Sequence, residues 1–355
     1  IPDILFSYLQ ELLYTGLNTV TTTLSLFKLS LIFFHRKDFF TLVIHLEEKF
    51  LHSNYDAFEL KLVNECKRLS AIGIGCYTLF TYATVLCFMV TPVIANIGKN
   101  ESDRLLPFII SVDLPMSMTP YFEIAFVLEF LMLYQIGVCY TCFDYFLCII
   151  NMHVAVQFRI LQHRLTYLNY TNQEEISSVK IGKVSLDAAE RCYAAFRHNI
   201  QHHQALISYC QKLEDVFSLI VLAEMISYSL IITLIGLQIL LGAPDSGRRY
   251  TFMSFLCSEF IQLLMFTYTC DGVIQESLNV APAIFNAPWY SMLMNKYGRM
   301  LRRDLKLVIL RSRNPCCITA KGFFPISLET YTKVWTTAAS YFTLLRNSIE
   351  EIDQY

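Results

Sequence analysis

Long apolar stretches recur along the whole chain, and they constrain its fold more than any other feature. Crossing a bilayer core of about 30 Å takes roughly 20 helical residues, whereas strands of a membrane barrel are about ten residues long and alternate strictly. The stretches here are long and continuous, and 54% of the chain is hydrophobic against 16% charged. We therefore predict an all-α, polytopic helical membrane protein. The six predicted spans are residues 12–34, 69–97, 124–150, 216–241, 252–270 and 326–346.

The last predicted span differs from the others because hydroxyl side chains are spread along it. A lone helix that faces lipid on all sides gains nothing from them, since each hydroxyl must find a partner in hydrocarbon. We therefore predict that this helix faces neighbouring helices or lines a space that contains water. The hydroxyls belong to Thr332, Thr336, Thr337, Ser340 and Thr343.

Lysine and arginine are unevenly divided among the predicted loops. Residues 35–68 and 151–211 hold six each and residues 277–325 hold eight, whereas residues 96–120 and 242–250 hold two each. Under the positive-inside rule the basic-rich loops are cytoplasmic. We therefore expect both ends of this sequence to lie outside the cell, and an extracellular C-terminus is the opposite of a G-protein-coupled receptor.

One glycosylation sequence fits this orientation. The tripeptide that starts at Asn100 lies in a basic-poor loop, as a glycosylated extracellular loop would allow. The tripeptide that starts at Asn169 matches the same pattern in a basic-rich loop, so the pattern alone is a weak indicator. We predict glycosylation at Asn100.

The two longest cytoplasmic segments carry helical patterning. Apolar residues from Phe158 to Leu168 recur at three- and four-residue steps, which predicts a helix that continues past the membrane and ends before the polar residues 169–178. Residues 289–310 alternate apolar and basic side chains, which predicts an amphipathic helix. Both segments are therefore expected to be folded.

Catalytic and metal-binding patterns are weak. Cys139 and Cys142 have redox-motif spacing but lie inside an apolar span, which favours packing. His202 follows His198 at a metal-ligand spacing and precedes His203, but no carboxylate lies within the local helix turns, which favours an interface role. With no phosphate-binding loop and no nucleophile arrangement either, we predict a non-enzyme without metal or cofactor.

Ionisable residues inside the apolar stretches carry more information, because each costs a few kcal/mol at the bilayer centre unless it faces protein or water. The residues concerned are Glu129, Asp144, Glu224 and Glu259. Asp144 is the deepest by sequence, and we predict that it pairs with another helix in a structural role, rather than on an ion pathway.

Aromatic residues cluster in the outer halves of several spans. They fit an ordinary bundle core and equally a cavity for a small apolar ligand, oriented by a few hydroxyls such as those of Thr81 and Thr84. The pattern does not separate these two interpretations. The aromatic residues are Tyr8, Tyr77, Phe80, Phe88, Phe126, Phe130, Tyr134, Phe255 and Phe260.

A series of motifs resembles the insect odorant receptors of the ligand-tuned kind, in the right order and across nearly the whole chain. Asp144 is followed by His153 and by the Gln-Phe pair at 157–158. Further along come Trp-Tyr at 289–290, Arg-Ser-Arg-Asn-Pro at 311–315 and Ala-Lys-Gly-Phe-Phe at 320–324. The most specific stretch is Ser-Tyr-Phe-Thr-Leu-Leu-Arg at 340–346.

The resemblance implies a seven-span fold with a cytoplasmic N-terminus and an extracellular C-terminus, of which this sequence begins just before the second span. It implies the odorant-binding subunit of a ligand-gated, non-selective cation channel, opened by a small volatile odorant and assembled as a tetramer with co-receptor subunits. The expected location is the plasma membrane of olfactory sensory neuron dendrites. Residues 1–276 would form the membrane bundle, with cytoplasmic extensions at about 151–215, and residues 277–355 the anchor helix and the pore-lining span.

The resemblance also implies which residues form the gate, whereas the expected ligand-binding residues come from the aromatic and hydroxyl clusters described above. Leu344 matches an apolar gate position, Asn347 a polar position beside it, and Ser348 a second gate position that is apolar in the co-receptor. Thr336 and Ser340 would line the pore on the same helix. The expected ligand-binding residues are Tyr8, Tyr77, Phe80, Thr81, Thr84, Phe126, Phe130, Tyr134 and Phe260.

Three other classes are weaker alternatives. A gustatory-type channel receptor shares the topology, but its final span commonly ends in Gln-Phe, which residues 340–346 lack. A transporter would show internal symmetry or paired discontinuous spans, and neither is visible. A G-protein-coupled receptor would need the opposite distribution of basic loops.

Overall fold

The computed structural model describes residues 2–51, 55–98, 104, 106, 118–168, 184–291 without 241–245, and 294–352. For residues 2–9, 51, 184–188, 240, 246, 291, 345 and 348–352 it describes the backbone alone. The described part is nearly all helical, which confirms the predicted all-α class, and its β-structure is a single antiparallel bridge between Thr319 and Pro325. The helices are α1 (Pro2–Phe34), α2 (Arg36–Leu46), a π-helical turn (Glu47–Leu51), α3 (Ala57–Ala95), α4 (Tyr121–Thr166), α5 (Val184–Leu240), α6 (Ser246–Leu278), α7 (Val280–Asn286), a 3-10 turn (Trp289–Ser291), α8 (Lys296–Ser312) and α9 (Leu328–Ile352).

Five helical segments among the described residues are long and apolar enough to cross a membrane, and they contain the first five predicted spans except the last two residues of 69–97 and of 216–241. They lie in α1, α3, α4, α5 and in α6 together with α7. The sixth predicted span is α9, whose 25 residues reach about 37 Å. Its hydroxyls and charges keep it outside this group, so its membrane crossing stays a prediction.

The bundle has two ends, which we call the Ala95 end and the Thr166 end. Side-chain contacts fix the directions: Thr78 of α3 contacts Tyr145 of α4, and Ser70 contacts Met152, so these helices are antiparallel. Helices α4 and α6 run parallel from the Ala95 end, because Tyr140 contacts Glu259 and, further along both helices, Asn151 contacts Cys270.

Helices α4 and α5 extend far beyond the apolar stretches at the Thr166 end. Helix α5 has 57 residues, about 85 Å, and only its last part is the predicted span. The largest hydrophobic core lies around these extensions, where Phe158, Leu161, Leu206 and Tyr209 are fully buried. The predicted helical continuation after residue 158 is confirmed, and it ends at Thr166.

The amphipathic helix predicted over residues 289–310 begins later than expected. Trp289 lies in the 3-10 turn, and α8 starts at Lys296 because the Asn295 side chain caps it by accepting from the Gly298 N–H at 2.9 Å. The buried face of α8 is Leu301, Leu305 and Val308. The predicted boundary was therefore wrong by about two turns, although the amphipathic helix itself is confirmed.

Candidate ligand-binding site

A cavity of about 80 Å³ lies between α1, α3, α4 and α6. Helix α3 lines it with Tyr77, Thr81, Thr84 and Phe88, which share one helix face at three- and four-residue steps. The other lining residues are Asn18, Thr21, Val85, Leu133, Ile136, Gly137, Tyr140, Phe255, Ser258, Glu259 and Gln262.

Hydroxyl pairs join α3 to α6 beside the cavity. Thr84 Oγ1 lies 2.9 Å from Ser254 Oγ, and Thr81 Oγ1 lies 3.4 Å from Ser258 Oγ. Each pair satisfies groups that would otherwise be costly in a membrane interior. The walls are otherwise mostly apolar and aromatic, with few polar groups, which is the usual make-up of a small-molecule site.

A buried ion cluster lies next to this cavity. Lys28 Nζ on α1 is 3.0 Å from Asp144 Oδ1 on α4 and 2.5 Å from Glu224 Oε1 on α5. All three side chains are at most 1% exposed. The cluster confirms that Asp144 pairs with another helix, and it ties three spans together.

Lys28 was missed by the sequence reasoning. It is a lysine inside the first predicted span, and that position alone was a signal for a partner among the intramembrane carboxylates. Its Nζ also lies 3.3 Å from the Tyr140 carbonyl oxygen and 4.7 Å from the centre of the Tyr140 ring. The ammonium is therefore surrounded by acceptors and an aromatic face.

Two side chains of α6 connect the cavity to the ion cluster. The Gln262 amide donates to Asp144 Oδ2, and Glu259 accepts from the Tyr140 hydroxyl at 3.3 Å. Gln262, Glu259 and Tyr140 all line the cavity. A ligand in the cavity would therefore lie one side chain away from the ion pairs.

The structure brings three of the predicted ligand-binding residues together, namely Tyr77, Thr81 and Thr84. Phe80, Phe130 and Tyr134 are more than one-third exposed on outward faces, and the Tyr134 ring lies tilted against that of Tyr82 with ring centres 6.2 Å apart.

Two other predicted ligand-binding residues pack elsewhere, and one is not described. Phe126 contacts Phe122, and Phe260 points to α9. The side chain of Tyr8 lies outside the described residues.

Four of the five α9 hydroxyls singled out in the sequence, those of Thr332, Thr336, Ser340 and Thr343, donate to carbonyl groups of the same helix. Thr336 Oγ1 donates to the Thr332 carbonyl at 2.9 Å, and Ser340 Oγ donates to the Thr336 carbonyl at 2.8 Å. Such back-bonding gives these donors a partner within the helix, so the hydroxyls alone do not require water or another helix, and the lining role of α9 stays a prediction.

Of the other residues expected to line the pore, two are exposed and one is not described. Leu344 is 63% exposed and Asn347 is exposed in the single chain, while the side chain of Ser348 is not described.

A second, larger cavity of about 310 Å³ separates α9 from α5 and α6. Its walls are almost entirely apolar and include Gly236, Trp335 and Phe342. A Cβ at Gly236 would lie 3.3 Å from Phe342 Cδ2, so the glycine lets α9 approach α5 closely. The space and the close contact therefore lie on the same face of α9, the face that meets α5 and α6.

The remaining candidates from the sequence are the histidines of α5 and the glycosylation site. The ring centre of His202 is 5.7 Å from that of Phe50, and that of His203 is 6.3 Å from that of Phe158, which fits the interface interpretation. Within the described residues no group of three or more His, Cys, Asp or Glu side chains could hold a metal ion. Asn100 lies outside the described residues.

The fold defines the class as a multi-pass helical membrane protein with a mostly apolar cavity among its helices. The sequence model of the 7tm odorant receptor family matches residues 9–339, and the chain belongs to that family. The resemblance noted from the motifs is thereby confirmed, and so is the prediction of a receptor that is not an enzyme. The match also favours an odorant receptor over a gustatory-type channel.

Similar proteins are odorant receptors of insects. The chain is 26% identical over 235 residues to Odorant receptor 13a of Drosophila melanogaster, a match that covers 63% of this chain and 54% of that protein. It is 26% identical over 263 residues to Odorant receptor 10 of Aedes albopictus, which covers 73% of this chain and 63% of that protein. The chain therefore spans less than two-thirds of the length of these relatives.

Solved structures agree with the fold. The olfactory receptor OR5 of Machilis hrabei superposes with a TM-score of 0.78 at 12% identity, over 95% of this chain and 81% of that one. The same receptor in complex with eugenol superposes with a TM-score of 0.76, over 94% and 81% of the two chains. At this identity the likeness shows the fold alone.

Proposed function

We propose that this chain is the odorant-binding subunit of a heteromeric ligand-gated cation channel, opened by a small volatile organic molecule. It would assemble with co-receptor subunits in a tetramer, in the plasma membrane of olfactory sensory neuron dendrites. The observation that carries this proposal is the cavity among α1, α3, α4 and α6 within an odorant receptor fold. The OR5 structure in complex with eugenol supports a small aromatic volatile as one kind of ligand for this fold.

The proposed orientation follows the basic loops. The Thr166 end, with the extensions and α8, would be cytoplasmic, and the Ala95 end extracellular. The cavity lies on the part of α3 between Tyr77 and Phe88, which is nearer to the Ala95 end. A volatile molecule would then reach the cavity from the outer half of the membrane.

Helix α6 is the proposed link from ligand to pore. Glu259 lines the cavity, and the next residue, Phe260, contacts Tyr331 and Trp335 of α9, with ring centres 5.5 and 5.1 Å apart. A shift of α6 on ligand binding would therefore move α9. A ligand that favours the open arrangement by about 1.4 kcal/mol changes the open-to-closed ratio tenfold, so modest differences in contact suffice.

Filling the cavity tests whether it is the ligand site. Thr81→Phe places a ring in a space of about 80 Å³, so we expect the half-maximal concentration of every agonist to rise at least tenfold. Leu79→Phe is the matched control, because Leu79 is 69% exposed on another face of the same helix. Dose-response curves of whole-cell current, normalised to surface expression, provide the measurement.

An unchanged response of the Thr81→Phe variant would contradict this site. The exposed face at Tyr82 and Tyr134 is the alternative location. If replacing Tyr134 or Phe130 changes the rank order of ligands while Thr81→Phe has no effect, the ligand binds at this exposed face. A uniform loss across ligands would indicate a role of those residues in folding or assembly.

A further inference from the structure

The cavity contains a carboxylate that has no cation of its own. Glu259 is 1% exposed and lines the cavity, where it accepts from the Tyr140 hydroxyl at 3.3 and 3.4 Å. The nearby Lys28 pairs with Asp144 and Glu224 instead. Within the described part of the chain, no basic side chain forms an ion pair with Glu259.

Two further polar atoms are left without partners beside this carboxylate. Gln262 donates its amide N–H to Asp144, and its Oε1 atom is buried with no hydrogen-bond partner among the described residues. The Tyr77 hydroxyl is buried and unpartnered in the same sense. Both residues line the cavity, so next to the carboxylate its polar side holds an unpaired amide oxygen, which accepts, and a hydroxyl, which can accept or donate.

The charge balance points in the same direction. Among the described residues, the buried carboxyl groups of Asp144, Glu224 and Glu259 are accompanied by one lysine, Lys28, which pairs with the first two. A buried charge is tolerated only when it is paired and hydrogen-bonded. The cluster is therefore complementary to a ligand that brings a positive charge and several donors.

An ammonium group has three N–H donors, a hydroxyl has one, and an ester or hydrocarbon has none. A ligand without donors would leave buried acceptors unpaired in the complex, and sites built around polar groups reject such analogues strongly. The apolar walls formed by Phe88, Ile136 and Phe255 suit the body of a small organic molecule.

We propose that this cavity selects small volatile amines, with the ammonium group docked against Glu259 and Gln262 and the apolar body against α3 and α4. This inference rests on the proposed function, because it assumes that the cavity is the ligand site. The amine binds as its ammonium form, which supplies the cation that the Glu259 carboxylate lacks.

The test compares benzylamine, benzyl alcohol and toluene, which share one ring. Their dissociation constants are measured by thermal stabilisation of the purified full-length protein in detergent, and their currents in cells with a co-receptor. We expect benzylamine to bind at least tenfold more tightly than benzyl alcohol, and toluene to bind least. Equal binding of amine and alcohol by the wild-type protein would overturn the proposal without any variant.

Glu259→Gln removes the charge and keeps the shape. We expect it to raise the dissociation constant of benzylamine at least tenfold and that of benzyl alcohol less than threefold. The control, Glu65→Gln, changes an exposed carboxylate of α3 and should leave both dissociation constants unchanged. An equal loss of affinity for both ligands in Glu259→Gln would indicate a structural role of Glu259 and overturn the proposal. The proposal would also be overturned if the wild-type protein bound neither benzylamine nor hexylamine. Binding of the amine without current from any ligand would refute the channel function and leave the amine site standing.

Discussion

Replacing Lys28 with methionine will sharply destabilise the bundle. The side chain is 1% exposed, and its Nζ lies 3.0 Å from Asp144 Oδ1 and 2.5 Å from Glu224 Oε1. Its loss leaves two buried carboxyl groups without their cation. Breaking a buried ion pair by removing one partner typically costs about 3–5 kcal/mol. We expect little folded protein at the cell surface and a much lower midpoint of thermal unfolding in detergent.

Two further variants separate the ion pairs from other effects of the substitution. Lys61→Met changes an exposed lysine of α3 and should leave the unfolding midpoint unchanged. Adding Asp144→Asn and Glu224→Gln to Lys28→Met removes the stranded charges, so most of the lost stability should return. A Lys28→Met protein as stable as the wild type would show that the cluster does not hold the three helices together.

Replacing Leu344 with alanine is expected to raise the current that flows without ligand several-fold. Leu344 is 63% exposed in the single chain, on a helix that we propose to line the pore. An apolar constriction gates by excluding water and hydrated ions, and a smaller side chain widens it. The measurement is basal whole-cell current with a co-receptor, normalised to the number of receptors at the surface.

The control for the gate is Leu328→Ala, which changes the same residue type at the other end of α9. It should leave the basal current unchanged. An unchanged basal current in Leu344→Ala would count against this gate position. A modest rise would fit a co-receptor that supplies most of the gate, since Ser348 is polar where the co-receptor is expected to be apolar.

The membrane-spanning helices were predictable because each is a long run of apolar residues with high mean hydropathy. Residues such as Phe158 and Leu161 also revealed the extension of α4, since their periodicity continues past the apolar stretch. The start of α8 was missed because the deciding feature is a local cap at Asn295. A pattern of apolar residues does not locate such a cap to within a turn.

The cavity was only partly predictable, because a span that is apolar all round does not show which face meets its neighbours. Tyr77, Thr81 and Thr84 line the cavity, but Phe80 lies on another face of the same helix. Aromatic type alone could not separate them. In the same way, Lys28 could be paired with Asp144 only once the directions of α1 and α4 were known.

The polar character of α9 was a weaker indicator than the sequence suggested. Hydroxyls at Thr336 and Ser340 bond to carbonyls one turn earlier, so they are compatible with lipid, water or protein surroundings. The exposed Leu344 further along the helix supports a pore-lining role, and the contact of Trp335 with Phe260 supports coupling of α9 to α6.

Whole-cell current from cells that express the full-length protein, with and without an insect odorant co-receptor, tests the central claim most directly. The cells are challenged with a panel of volatiles that includes amines, alcohols and esters. We predict a fast, non-selective cation current only when both proteins are present. Current from this chain alone would contradict the tuning-subunit assignment, and silence of both proteins together at confirmed surface expression would contradict the proposed channel function.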